Sequence, residues 1–224
     1  LPELAGRARD LLAVAGRRRY EQGDVTTAVS LLTRARMSAI SEADVPAGLL
    51  LDLGDALREA GRLDEAEVEL RKAIAAAAAT GNEVSEWRAR SSLVRLLLQL
   101  PGHSIDEVRA PADRTLAELT RLGDAAGLAS AWWVQGWLTW LECRAEETEH
   151  ALATSIDWAR RAGDTRLEAH GVNLYLGAAL FGPMPVEQAV ERCLEFRRRH
   201  HDRQRIVASS VRALAVLRAM QGQF

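Results

Sequence analysis

The sequence predicts an all-α protein, a right-handed α-solenoid of helical hairpins that repeat every 38–41 residues. Three observations lead to this prediction. Turn residues recur at that spacing, apolar residues between them recur at helical intervals, and the alternating pattern of a β-strand is absent from the sequence. Each repeat is therefore expected to contain two antiparallel helices, and residues 1–224 form a single array of about five and a half repeats.

One residue marks the turn between the two helices of each repeat. The series is Gly23, Gly61, Gly102, Cys143, Met184 and Gly222, with spacings of 38, 41, 41, 41 and 38 residues. Seven residues before Gly61 stands Gly54, five after it stands Ala66, and similar offsets recur around the other turn residues. We expect small residues at these offsets because the two helices of a hairpin approach most closely there.

A second set of turns separates one repeat from the next. The tripeptides TGN, LGD and AGD end at Asn82, Asp124 and Asp164, each after a helical run rich in alanine or arginine. Glycine suits the left-handed residue that ends a helix, and Asp or Asn can cap the following helix. The sequence therefore predicts a helix end and a helix start at each tripeptide.

Two repeats depart from the pattern. Pro111 falls within the second helix of the third repeat, which predicts either a kinked helix or a late start with Pro111 in the first turn. The sixth repeat ends at Phe224 without a second helix, and the chain begins Leu1-Pro2 without an initiator methionine. We therefore expect the sequence to be a fragment of a longer protein.

The repeats resemble those of the tetratricopeptide (TPR) family. The consensus positions are occupied by Leu53, Gly54, Leu57, Ala66, Leu70 and Ala73, and again by Leu176, Gly177, Leu180, Ala189, Cys193 and Phe196. The period exceeds the family's usual length of about 34 residues. Longer units of this kind are typical of repeat regions in large bacterial signalling ATPases, including nucleotide-cyclase-linked and maltose-regulator-type proteins, which this sequence resembles.

Composition and motifs argue against several function classes. The net charge of −2 gives no electrostatic reason to expect nucleic-acid binding, and no apolar run approaches the length of a membrane span. Two cysteines fifty residues apart fit a cytoplasmic protein. The sequence contains no Walker phosphate loop or other catalytic motif, so we expect no cofactor and no enzyme activity in this segment. Any ATPase or cyclase activity would lie outside it.

Three further features have a structural and a functional interpretation. The run RRRHHDR from Arg197 to Arg203 is interpreted as the solvated end of a helix, the alternative being an anion or metal site. The run GRRRY that ends at Tyr20 is interpreted as a solvated face rather than a phosphate site. Cys143 and Cys193 are expected to be buried, inert thiols.

The segment AWWVQGWLTWLE holds four of the six tryptophans. On a helical wheel, Trp133, Trp137 and Trp140 share a stripe about 60° wide, whereas Trp132 stands apart. The TPR resemblance implies that first helices line a concave groove through positions ten, six and three residues before the turn residue. Those positions are the three tryptophans of the stripe, and Trp132 takes the structural aromatic position between helices.

The same register extends the candidate site to other repeats. The candidate concave-face residues are Trp133, Trp137, Trp140, Phe181, Leu174, Gln99, Arg58 and Asp55. An aromatic stripe at helical spacing fits plain packing, a protein or peptide surface, or a small-molecule pocket, and the sequence leaves these three open. A tryptophan patch that is exposed usually marks an interaction site.

The expected function is therefore a non-catalytic protein-interaction or regulatory module of a larger bacterial signalling or transcription-regulatory protein. Its partner would be a protein or peptide, including other domains of the same chain. The alternative is an effector-sensing module that binds a small molecule in the tryptophan-lined groove. Neither nucleic acid nor membrane is expected as a partner of this segment.

Overall fold

The computed structural model describes residues 2–39, 41 and 44–223, and the chain divides into two compact units, Leu1–Gly127 and Leu128–Phe224. The regular elements of these residues are α1 Pro2–Gln22, α2 Val25–Met37, α3 Ala47–Glu59, α4 Leu63–Ala79, α5 Glu83–Leu97, α6 Ile105–Leu122, α7 Ala125–Leu141, α8 Ala145–Ala162, α9 Thr165–Phe181, α10 Val186–Arg199 and α11 Gln204–Met220. Consecutive helices form hairpins, as the repeat predicts, and α11 stands as the single last helix.

The predicted turn residues adopt the conformation that a tight turn between antiparallel helices requires. Five of the six have positive φ, namely Gly23 (86°), Gly61 (75°), Gly102 (91°), Cys143 (59°) and Gly222 (74°). This left-handed conformation places the β-carbon of an L-residue close to the backbone, so glycine is favoured there. Cys143 takes the same conformation without being glycine and is exposed, so the prediction that it is buried is wrong.

The turns between repeats cap the helices as predicted. Gly123 and Gly163 end α6 and α8 in the left-handed conformation. The side chain of Asn82 accepts from Ser85 N at the start of α5, and Asp164 does the same for two amides at the start of α9. Each acceptor satisfies amide donors that have no partner within the helix.

Helix α6 starts early despite Pro111. Ser104 and Glu107 form a capping box, in which Glu107 N donates to Ser104 Oγ and Ser104 N donates to the Glu107 carboxylate. The helix therefore begins at Ile105, and Pro111 lies in its interior rather than in its first turn. The predicted late start is wrong, because the capping box starts the helix upstream of the proline.

The helices of most hairpins approach closely at a glycine. A β-carbon at Gly54 would lie 2.6 Å from Leu70 Cγ, and the equivalent distances to Cγ are 2.7 Å from Gly16 to Leu32 and 2.7 Å from Gly136 to Leu152. In each pair the leucine lies sixteen residues after the glycine. Gly177 has no such contact within 4 Å, and the smaller Cys193 stands where the leucine would be.

Each unit has its own apolar core between the helices of its hairpins. In the first unit it includes Leu32, Leu53 and Leu70, and in the second Leu152 and Leu176, all at most 2 % exposed. Burial of each such side chain stabilises the fold by about 1.5–3 kcal/mol. Across the part of the chain that the structure describes, we find no helix with both the length and the apolarity needed to span a bilayer.

Candidate functional site

Helix α7 carries the tryptophan segment and contains no charged residue. Its buried face, which includes Ala129 and Leu138, belongs to the packing of the second unit. Gly136 lies against Leu152 of α8, and Ser155 Oγ of α8 donates to Ala129 O at 2.8 Å. These contacts fix which way α7 faces, and they leave its four tryptophans half-buried.

The ring of Trp132 has a different neighbour from the rings of the other three tryptophans. The ring of Trp132 meets the ring of His150 on α8 edge to face, with centroids 6.0 Å apart, so it packs between the two helices of its hairpin. Trp133 and Trp137 stack with centroids 5.6 Å apart and planes 8° apart. Trp133 also packs against two apolar clusters of the second unit. Trp133 therefore contributes to the core, and Trp137 covers it.

Trp140 has a different neighbour. Its ring lies 6.2 Å from that of Phe181, the last residue of α9, and the planes are inclined by 59°. Phe181 is 73 % exposed. Leu174, also on α9, is half-buried and packs against the core of the unit. We name these two ring pairs, Trp133 with Trp137 and Trp140 with Phe181, the aromatic cluster; the first pair is packed against the core and the second ends at the exposed ring of Phe181.

Two candidate residues of the first unit, Asp55 and Arg58, belong to a polar network. Asp55 Oδ2 accepts from Ser92 Oγ of α5 at 3.0 Å, and Arg58 Nε lies 3.6 Å from the other Asp55 oxygen. Arg58 is only 6 % exposed, and its Nη2 lies 3.6 Å from Glu59. Glu59 in turn accepts from the hydroxyl of Tyr20 on α1 at 2.7 Å. Asp55 and Arg58 therefore join α1, α3 and α5.

A further ion pair joins α1 and α3 beside this network. Arg17 of α1 donates to Asp52 of α3 through Nε at 2.9 Å and Nη2 at 2.6 Å. Burial raises the pKa of Asp52, and the charge of Arg17 opposes that shift. Gln99 is exposed just beyond the last residue of α5.

The run that ends α10 contains a buried residue that the sequence interpretation missed. His201 and Asp202 are exposed as expected, but His200 is 8 % exposed. Burial lowers the pKa of His200, Glu168 opposes this, and Arg160 adds to it. The interpretation as a solvated helix end is therefore wrong for His200, because the chain turns there to begin α11 and carries the ring inward.

Glu168 is the centre of that buried group. Its side chain is 2 % exposed and accepts from Arg160 Nε of α8 at 2.7 Å and from Arg203 at the start of α11. Its Oε1 also lies 3.8 Å from His200 Nε2. A buried carboxylate requires such partners. No sequence motif marks Glu168, since its partners come from α8 and from the turn between α10 and α11.

The thiols differ from each other. Cys193 is fully buried in the core of the second unit, and burial raises its pKa to about 11. Its predicted inert character is therefore supported, whereas Cys143 is exposed at its turn. Within residues 2–39, 41 and 44–223, no three His, Cys, Asp or Glu side chains group as metal ligands would.

Several solved structures have folds similar to that of this chain. A thermophilic TPR protein of Thermus thermophilus matches with a TM-score of 0.66 at 14 % identity, over 93 % of this chain and all of that one. A Rap protein in complex with Competence and Sporulation Factor matches with a TM-score of 0.65 at 10 % identity, over 94 % of this chain. A STAND signal-transduction ATPase with a tetratricopeptide repeat sensor, from Pyrococcus horikoshii, gives 0.53 at 14 % identity over 95 % of this chain.

These matches concern the fold, since all the identities are low. The chain spans 55 % of the Rap protein and 39 % of the signal-transduction ATPase. Neither a protein-family model nor a curated protein sequence matches it. The predicted all-α hairpin repeat is confirmed, and so is its resemblance to the repeat region of a signalling ATPase. The chain therefore has the fold of a tetratricopeptide-type helical-repeat protein.

Proposed function

We propose that this chain is a non-catalytic module that binds a protein or peptide partner through the aromatic cluster of its second unit. The observation that carries the proposal is the open end of that cluster, where Phe181 is 73 % exposed beside Trp140. Because the ring of Phe181 is exposed, it contributes little to the stability of the fold. Aromatic side chains are, however, the residues on which binding free energy concentrates at interfaces.

The chemistry of the surrounding surface indicates the kind of partner. Helix α7 has no charged residue, and the cluster is built from rings alone. A partner segment with apolar or aromatic side chains would cover, for each half-buried tryptophan, part of the roughly 150–250 Å² that an aromatic side chain presents. Trp133 and Trp137 stack on each other at the packed end of the cluster, which restricts the motion of both rings.

The finer role is that of a regulatory part of a larger cytoplasmic bacterial signalling or transcription-regulatory protein. Its support is the similarity of the fold to a signal-transduction ATPase that carries a repeat sensor, of which this chain spans 39 %. A Rap protein of similar fold was solved in complex with Competence and Sporulation Factor. Any catalytic domain of such a protein would lie outside these 224 residues.

The experiment selects ligands from a displayed library of random peptides with the chain immobilised. Selected peptides are then measured by calorimetry against Trp140→Ala and Phe181→Ala. The matched control is Met37→Ala, because Met37 on α2 is 74 % exposed and lies in the other unit. We expect peptides rich in apolar residues, with affinity reduced about tenfold or more by each cluster substitution and unchanged by the control.

Two results would refute the proposal. One is that no peptide is enriched over the uncoated support. The other is that enriched peptides bind both cluster variants as well as the parent chain. If a small effector occupied the cluster instead, metabolite titration would give a saturable change in tryptophan fluorescence that Trp140→Ala abolishes, while the library selection would fail.

A further inference from the structure

Grooves lie at three of the places where the second helix of one hairpin meets the next hairpin. One lies between α2, α3 and α4, with a volume of about 400 Å³, and another between α8, α9 and α10, with about 200 Å³. The third lies between α4, α5 and α6 and has a volume of about 600 Å³. Pockets of about 300–1,000 Å³ accommodate small organic ligands. The third groove lies in this range and is the largest of the three.

The charge of the three grooves differs. The first is lined by Asp64, Glu65 and Glu69 beside its arginines, and the α8–α10 groove by Asp157 and Glu195. The third, which we name the arginine cleft, is lined by Arg71, Arg90, Arg114, Trp87, Pro111 and apolar side chains. Among the described residues, no carboxylate lines it. Its electrostatic preference is therefore for an anion.

The third hairpin is open because it lacks the glycine–leucine contact of its neighbours. Arg95 stands where Gly54 stands in the second repeat, and Pro111 stands where Leu70 stands. Arg95 is only 6 % exposed, so a long side chain occupies the place of closest approach. Helices α5 and α6 contact each other less extensively than α3 and α4 do. The space beside Pro111 is part of the cleft.

Two of the three arginines lie over the ring of Trp87. The indole of Trp87 is 9 % exposed, the guanidinium carbon of Arg90 lies 4.5 Å from its ring centroid, and that of Arg114 lies 5.5 Å away. A guanidinium held over a ring keeps its in-plane N–H donors available at its edge. Arg90 shares one donor with Glu86 of its own helix. Arg71 is likewise paired with Glu67 on α4.

We propose that the arginine cleft binds a small organic anion, a carboxylate on a flat apolar body. The carboxylate would accept two parallel hydrogen bonds from the edge of the Arg114 guanidinium, as in bidentate arginine–carboxylate pairs. The apolar body would lie against Ile74, Leu93 and Pro111. This site belongs to the first unit and is independent of the aromatic cluster of the second.

The test measures binding of 2-naphthoate to the whole chain by calorimetry. Neutral 2-naphthamide has the same rings without the charge, and acetate has the charge without the rings. Arg114→Gln removes the guanidinium that would bind the carboxylate. Ala110→Phe fills the cleft with a larger side chain. The control Arg34→Gln removes another exposed arginine, on α2. Thermal unfolding followed by circular dichroism verifies that each variant is folded.

We expect one 2-naphthoate to bind per chain, with a dissociation constant below about 1 mM. Arg114→Gln should weaken binding about tenfold, since it removes charge-assisted hydrogen bonds. Ala110→Phe should also weaken it, whereas Arg34→Gln and Phe181→Ala should leave it unchanged. The proposal is overturned if binding does not saturate by about 10 mM, if 2-naphthamide binds as tightly, or if both cleft variants bind like the parent.

Discussion

Replacing glycine by alanine should have opposite effects at two equivalent positions of the second unit. A β-carbon at Gly136 would lie 2.6 Å from Leu152 Cδ2 and 2.7 Å from Cγ, and Leu152 is fully buried. At Gly177 no described atom outside its own helix lies within 4 Å of that position. Both glycines lie inside helices, so alanine at either gains the same helix propensity, about 1 kcal/mol.

The two substitutions should differ in their effect on the unfolding free energy only through the contact with Leu152. Forcing a methyl group into a filled core costs about 1–3 kcal/mol. Gly136→Ala is therefore expected to lower the free energy of unfolding by up to about 2 kcal/mol after the propensity gain. Gly177→Ala is expected to raise it by about 1 kcal/mol. The cause of the contrast is Cys193, which stands at the position that Leu152 occupies in the preceding repeat.

The assay is urea-induced unfolding followed by far-ultraviolet circular dichroism, with midpoints compared at equal slopes. The double variant Gly136→Ala with Leu152→Ala should be more stable than the sum of the single effects, since truncating Leu152 makes room for the added methyl group. Equal destabilisation by the two glycine substitutions would refute the reasoning, as would strict additivity in the double variant.

The remaining predictions concern a turn, the thiols and a buried charge. Cys143→Gly should raise the unfolding free energy by about 1 kcal/mol, because Cys143 has φ of 59°, and the reverse substitution Gly61→Cys should lower it. Ellman's reagent at pH 8 should label only Cys143 in the native chain and Cys193 after denaturation, since the pKa of Cys193 is raised to about 11; rapid native labelling of both would contradict this. Glu168→Ala should lower the unfolding free energy in urea by about 1.5–3 kcal/mol, since the charge-assisted hydrogen bonds from Arg160 and Arg203 are lost while both arginines stay partly solvated, and a loss as small as that of a surface ion pair would argue against it.

Local chemistry along the sequence determined the repeat itself. The spacing of the glycines was enough to predict the turns, because a tight turn with positive φ favours glycine wherever it occurs. The caps at Asn82 and Asp164 were readable for the same reason, since their hydrogen bonds join residues two or three apart. The separation of Trp132 from Trp133, Trp137 and Trp140 followed from helical periodicity alone.

A signal for the arginine cleft was also present in the sequence. The repeat register places Arg95 and Pro111 at the positions that hold glycine and leucine elsewhere, which marks the third hairpin as different. The register does not predict the volume of the arginine cleft, nor the stacking of Arg90 and Arg114 on Trp87. Those depend on side chains from three helices packing together.

The tertiary structure alone decided which polar groups are buried. Asp55 and Arg58 were predicted to face a groove, and the structure adds contacts that the sequence does not show. Asp55 joins α3 to α5 through Ser92, and Arg58 lies beside Glu59, which accepts from Tyr20 of α1. The burial of Glu168 depends on partners from two other segments, α8 and the turn between α10 and α11, which no periodicity along one helix can reveal. Sequence determines what is local in the chain, whereas the free energy of a buried charge depends on what the fold brings within a few ångströms of it.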